Sequence, residues 1–108
     1  MKYLTVVAER LTKLIMSVAE QIRQKLSANF APEELVVVDE SARHAGHSGA
    51  RPGGETHFDV RIVSRSFDGA SRVERQRRIY AVLAAEMKNQ IHALSLTALT
   101  PAEAWQEH

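Results

Sequence analysis

Cysteine is absent from this chain of 108 residues. Its absence excludes disulfide staples, thiolate nucleophiles, zinc fingers and any iron–sulfur cluster held wholly by the chain's own sulfurs. A metal bound here must rely on histidine, carboxylate or a partner. Aromatic residues are few, at 6%, and only Phe58 and Phe67 lie near the central arginines, a poor supply of stacking platforms for single-stranded nucleic acid. No apolar run approaches the roughly 18 residues that cross a bilayer. Glu9 and Arg10 interrupt the opening segment where a signal-peptide core would run, so a cytoplasmic chain with no membrane partner is expected. Excess charge is missing too. Lys and Arg number 14 against 13 Asp and Glu, a formal charge of +1, too little for bulk electrostatics to attract nucleic acid.

The remaining composition, 44% hydrophobic and 25% charged, suits a folded core and argues against disorder, and the length allows one small domain. Apolar residues recur at Leu4, Val7, Leu11, Leu14 or Ile15, Val18, Ile22 and Leu26, the stripe of a helix. Either one long helix runs through this stretch, or Ser17 caps a shorter one ending near Ala28 and Asn29. Residues 1–15 are therefore an N-terminal helical extension or the start of an extended first helix, residues 16–105 the domain, and 106–108 a tail.

Pro32, Glu33 and Glu34 make a turn, and Leu35 to Val38 forms a short β-branched strand. Arg43 to Gly54 holds four glycines, a proline and two histidines without apolar periodicity, the composition of a loop. A second strand alternates Phe58, Val60 and Ile62 against His57, Asp59 and Arg61. Asp68-Gly69 turns the chain, and Ser71-Arg72-Val73-Glu74 matches a capping box that starts a long helix. Its projection groups Val73, Gln76, Tyr80, Leu83, Ala84 and Met87 inward and sends Arg75 and Arg78 outward. Ile91 to Thr97 reads as a third strand, and Thr100-Pro101-Ala102-Glu103 caps a terminal helix. The order helix-strand-strand-helix-strand-helix, with a right-handed crossover before the last strand, predicts an α+β two-layer sandwich: a three-stranded mixed sheet whose second and third strands are parallel.

Histidines carry the chemical signal. His44-x-x-His47 lies in the loop and is either a chelating pair or a pair of solvent-facing side chains. His57 reads as structural or surface, and His92, opening the last strand, is either partly buried or exposed. Gly46-His47-Ser48-Gly49 spells the GxxG of KH domains, but between strands instead of helices, and without a basic residue inside. Arg61, Arg65, Arg72, Arg75, Arg77 and Arg78 crowd the centre of the chain; a solvated helix face explains most of them. No paired carboxylates, phosphate-cradling glycine loop or nucleophile elbow stands out, so a binding or adaptor module is expected in place of an enzyme.

Asp39-Glu40-Ser41, His44-Ala45-Gly46-His47 and Glu55-Thr56-His57-Phe58, followed by Phe67-Asp68-Gly69, Arg75 to Tyr80, Ile91-His92-Ala93-Leu94 and Thr100-Pro101, resemble the BolA family in order and in kind. The resemblance covers most of Met16 to Trp105. It implies a fold like the type II KH topology and, in function, partnership with a monothiol glutaredoxin around a glutathione-ligated [2Fe–2S] cluster, none of which the isolated chain is expected to carry. Partner and glutathione would supply sulfur and this chain histidine: His92 matches the family's C-terminal ligand and His47 the loop ligand, with His44 the alternative. Proteins of the family are also described as regulators of growth, morphology and stress response. That alternative makes DNA the partner and Arg65, Arg72, Arg75, Arg77 and Arg78 its contacts. The isolated protein is expected as a monomer or weak homodimer. One departure stands out: Arg75-Gln76-Arg77 replaces the family's frequent Arg-His-Arg, and the projection turns Gln76 inward as a structural substitution.

Overall fold

The computed structural model describes residues 16–40 and 57–107. Ser17 caps the first helix, α1 (Val18–Phe30), its hydroxyl accepting from the Glu20 amide at 3.1 Å. The helix that carries the core stripe thus begins at that cap, and the expected extension, residues 1–15, lies outside the described residues. Val18, Ile22, Leu26 and Phe30 recur every fourth position and are all buried on one face. The helix stops where Ala31 turns left-handed, at φ 42°, and gives its amide to the Ser27 carbonyl, with Pro32 next in line.

Strand β1 (Glu34–Asp39) runs antiparallel to β2 (His57–Val63), with Leu35 opposite Ile62 and Val37 opposite Val60. The alternation read from the sequence of β2 holds: Phe58, Val60 and Ile62 are buried and Asp59 is exposed. A 3-10 turn over Arg65–Phe67 then drops Phe67 into the core, 5.2 Å from the Phe30 ring centre. Ser64 and Ser66 both donate their hydroxyls to the Phe30 carbonyl, at 2.6 and 3.1 Å, which ties the end of α1 to the end of β2. Gly69, at φ +78°, takes the turn that precedes the next helix.

Helix α2 (Arg72–Val82) starts at Ser71, which accepts from the Glu74 amide at 3.1 Å, while the Glu74 carboxylate accepts from Arg78 at 3.4 Å. The chain bends at Leu83 into α3 (Ala84–Asn89), so the long helix expected here is two. Its inward face also differs from the projection: Arg75, Ile79, Leu83 and Glu86 are buried, whereas Val73, Gln76 and Tyr80 are exposed. The reason is ion pairing. Glu86 receives Lys25 at 2.8 Å and Arg75 reaches Glu103 at 2.6 Å, so two charged side chains occupy interior positions that a hydropathy projection reserves for apolar ones.

The Ile91 amide still bonds the Glu86 carbonyl, at 2.9 Å, so Ile91 closes the last helical turn and β3 (Ala93–Leu99) begins two residues later than its apolar run suggests. β3 pairs parallel to β2, Phe58 beside Leu94 and Val60 beside Leu96. Thr100 and Glu103 then close a full capping box on α4 (Pro101–Gln106). Strand order is β1-β2-β3, with α1 and α2 packed on one face and Val36, Val38, Asp59, Ser95 and Thr97 exposed on the other. This is the α+β two-layer architecture with a mixed sheet that the element order implied. Side chains such as Ile22, Leu26 and Ile79, fully shielded from water, each contribute about 1.5–3 kcal/mol to it.

Candidate functional site

Antiparallel β1–β2 and parallel β2–β3 pairing bring three chain ends to one end of the sheet: the last residue of β1 and the first of β2 and β3. Residues 41–56 leave the described chain after Glu40 and rejoin it at His57, so that segment is anchored at this same end. His44 and His47 belong to it and lie outside the described residues. His57 is half-buried opposite Ala93. His92, immediately before Ala93, is exposed; the buried Ile91 on one side and the β3 ladder on the other fix its backbone while the imidazole meets solvent. Among the described residues no group of three or more histidine and carboxylate side chains is arranged to hold a metal.

The arginines divide. Arg65 and Arg72 have side chains 81% and 72% exposed, and Arg77 is also exposed. Arg78 is anchored by Glu74 and by the Ser66 carbonyl at 3.0 Å. Arg75 departs from its expected outward position: its side chain is only 6% exposed and donates to the Ala70 and Ala98 carbonyls, each at 3.0 Å, and to Glu103. Buried and fully engaged, it presents nothing to a phosphate. Gln76, expected inward, is exposed instead. Arg61 lies across the open sheet face, bonded to Glu107 and Glu34, and these hydrogen bonds raise its pKa further. Glu103 is held down to about 2, first by the Arg75 hydrogen bond and then by the Thr100 amide.

Sequence reasoning passed over Trp105, which is 78% exposed beside Glu33 and Glu34. The available signal was a lone tryptophan in a short capped helix with no apolar stripe to bury it.

A three-stranded mixed sheet backed by two helices, with an exposed histidine at the strand-initial end, defines a small α+β two-layer domain. The family profile described as BolA-like protein matches residues 26–103. The chain belongs to that family. SufE-like protein 1, chloroplastic/mitochondrial, of Arabidopsis thaliana is 51% identical over 87 residues, which is 77% of this chain and 24% of that protein. The DNA-binding transcriptional regulator BolA of Escherichia coli is 43% identical over 91 residues, 84% of this chain and 82% of that protein. The solved structure of BolA1 from Arabidopsis thaliana superposes with a TM-score of 0.73 at 43% identity, covering 82% of this chain and 97% of that one. The chain spans about a quarter of the length of SufE-like protein 1 and 54% of that of the chloroplastic BOLA1 protein.

Proposed function

We propose that this chain is an adaptor that binds a monothiol glutaredoxin and shares with it a glutathione-ligated [2Fe–2S] cluster for iron–sulfur assembly, trafficking or iron signalling. The observation that carries this reading is the exposed imidazole of His92 at the end of the sheet from which residues 41–56 depart. His92 would serve as the structured ligand and His47 as the loop ligand, with His44 the alternative. Lacking cysteine, the chain contributes nitrogen only, and the partner and glutathione contribute sulfur. Imidazole in place of thiolate raises the reduction potential of such a cluster. The chain's own task is to hold the His92 backbone rigidly between Ile91 and β3, so that ligation orders only one side chain. We place this activity in the cytoplasm.

Co-expression with a monothiol glutaredoxin is expected to yield a coloured heterocomplex whose visible spectrum changes in His92→Ala. His47→Ala and His44→Ala identify the loop ligand. Unchanged spectrum, affinity and cluster occupancy in His92→Ala and His47→Ala alike would refute the ligand assignment.

A second reading, a DNA-binding regulator, is favoured by the exposure of Arg65, Arg72 and Arg77 and by the name of the E. coli relative. Its contact set loses Arg75. It requires sequence-dependent duplex binding whose salt slope falls by about one on removing each phosphate contact. Equal weak binding to unrelated duplexes counts against it.

A further inference from the structure

At the opposite end of the sheet, the start of β1, the end of β2 and α4 frame a groove of about 270 Å³ lined by Glu33, Glu34, Val63, Pro101, Ala104 and Trp105. Its chemistry is unusual for an incidental surface dent. Trp105 is 78% exposed, and α4 buries none of its side chains. Val63, 3% exposed, supplies an apolar floor. Glu33 and Glu34 each give one oxygen to an arginine of this chain, Arg65 and Arg61, both at 3.0 Å. The second oxygen of each has no partner among the described residues. Arg61 is moreover divided between Glu34 and Glu107. The groove therefore joins an open indole, an apolar base and two carboxylate oxygens that accept no hydrogen bond among the described residues.

We propose that this groove docks an arginine side chain from an extended basic segment of a partner protein. The guanidinium stacks on Trp105 and donates to the free oxygens of Glu33 and Glu34, while its methylene stem lies along the half-buried Pro101 and Ala104. Arginine fits better than lysine because a planar, weakly hydrated cation can stack and bridge two carboxylates at once. The groove lies six residues along β2 from His57, roughly 20 Å at strand rise. Occupying it leaves His92 uncovered, so this surface operates independently of the proposed cluster site.

Trp105 is the only tryptophan in the chain, so its fluorescence reports on the groove directly. Titration of the full chain with the peptide Ac-Gly-Arg-Gly-Arg-Gly-NH2 should give a saturable change in emission. The same peptide with citrulline for arginine, and the double variant Glu33→Gln/Glu34→Gln with the original peptide, should each bind about fivefold more weakly or worse. Glu33→Gln alone, which disturbs only the pair with the highly exposed Arg65, provides the reading if the double variant fails to fold. Equal affinity for the citrulline peptide, or undiminished affinity in the glutamine variants, would overturn the proposal. So would an emission change that follows protein concentration without peptide, since that assigns the groove to a second copy of this chain.

Discussion

Replacing Arg75 by methionine isolates the polar contribution of a buried guanidinium, because methionine retains most of the apolar stem. The change removes the donors to the Ala70 and Ala98 carbonyls and both contacts to Glu103, at 2.6 and 3.4 Å. Two carbonyls left without this donor cost about 1 kcal/mol each. The Glu103 pair adds about 1 kcal/mol, discounted because that carboxylate is 32% exposed and water can replace part of the bond. The sum, about 3 kcal/mol, is the low end of what breaking a buried ion pair costs and a large fraction of a small domain's stability. In urea unfolding followed by circular dichroism, the midpoint should fall by roughly 2 M. Acidification supplies a second readout. The folded pKa of Glu103, about 2, lies below its ordinary 4.5, so the unfolded chain takes up the proton first as pH falls. That share of stability is complete above the ordinary value and is lost between about 4.5 and about 2; Arg75→Met should flatten this acid limb. A loss below about 1 kcal/mol, or strict additivity in the cycle with Glu103→Gln, would refute the reasoning.

Two further substitutions test packing and backbone. Ala31→Gly should raise stability by about 0.5–1 kcal/mol in the same urea assay, because the left-handed φ of 42° costs alanine more than glycine's extra unfolded freedom; destabilisation would show that the Ala31 methyl makes a contact worth more than the strain. Lys25→Met leaves the Glu86 carboxylate, in a residue 1% exposed, without its cation and should cost about 2–3 kcal/mol, less than a fully buried pair because Lys25 is 31% exposed. The double variant Lys25→Met/Glu86→Leu should recover most of that loss, and failure to recover would mean the pair also fixes the α1–α3 geometry.

The features legible in the sequence were local ones. The Ser17 and Thr100 caps, the Gly69 turn and the period-two pattern of β2 each depend on neighbours within a few positions, and the structure contains them all. Element order also fixed the sheet topology, since a helix between β2 and β3 requires a crossover. The inward face of α2 and α3 was illegible for a definite reason. Arg75 is satisfied by Glu103, 28 positions away, and Glu86 by Lys25, 61 positions away, and no periodicity encodes a partner at that distance. The same reasoning explains why Arg75 looked like a surface cation. His92 was ambiguous because strand parity does not apply to a residue one step before the strand.

The charges bracketing β1 have a consequence for how the protein behaves in bulk. The strand Glu-Leu-Val-Val-Val-Asp is a sheet edge with Val36 and Val38 open to solvent, free of proline and lysine, and it has the composition of a self-templating segment. Glu33 and Glu34 before its apolar run, and Asp39 and Glu40 after it, act as gatekeepers. Strand-on-strand stacking would crowd like carboxylates at both ends of every rung. These four acids thus set like charge against self-pairing of the edge, and replacing them by glutamine and asparagine is expected to raise its tendency to aggregate.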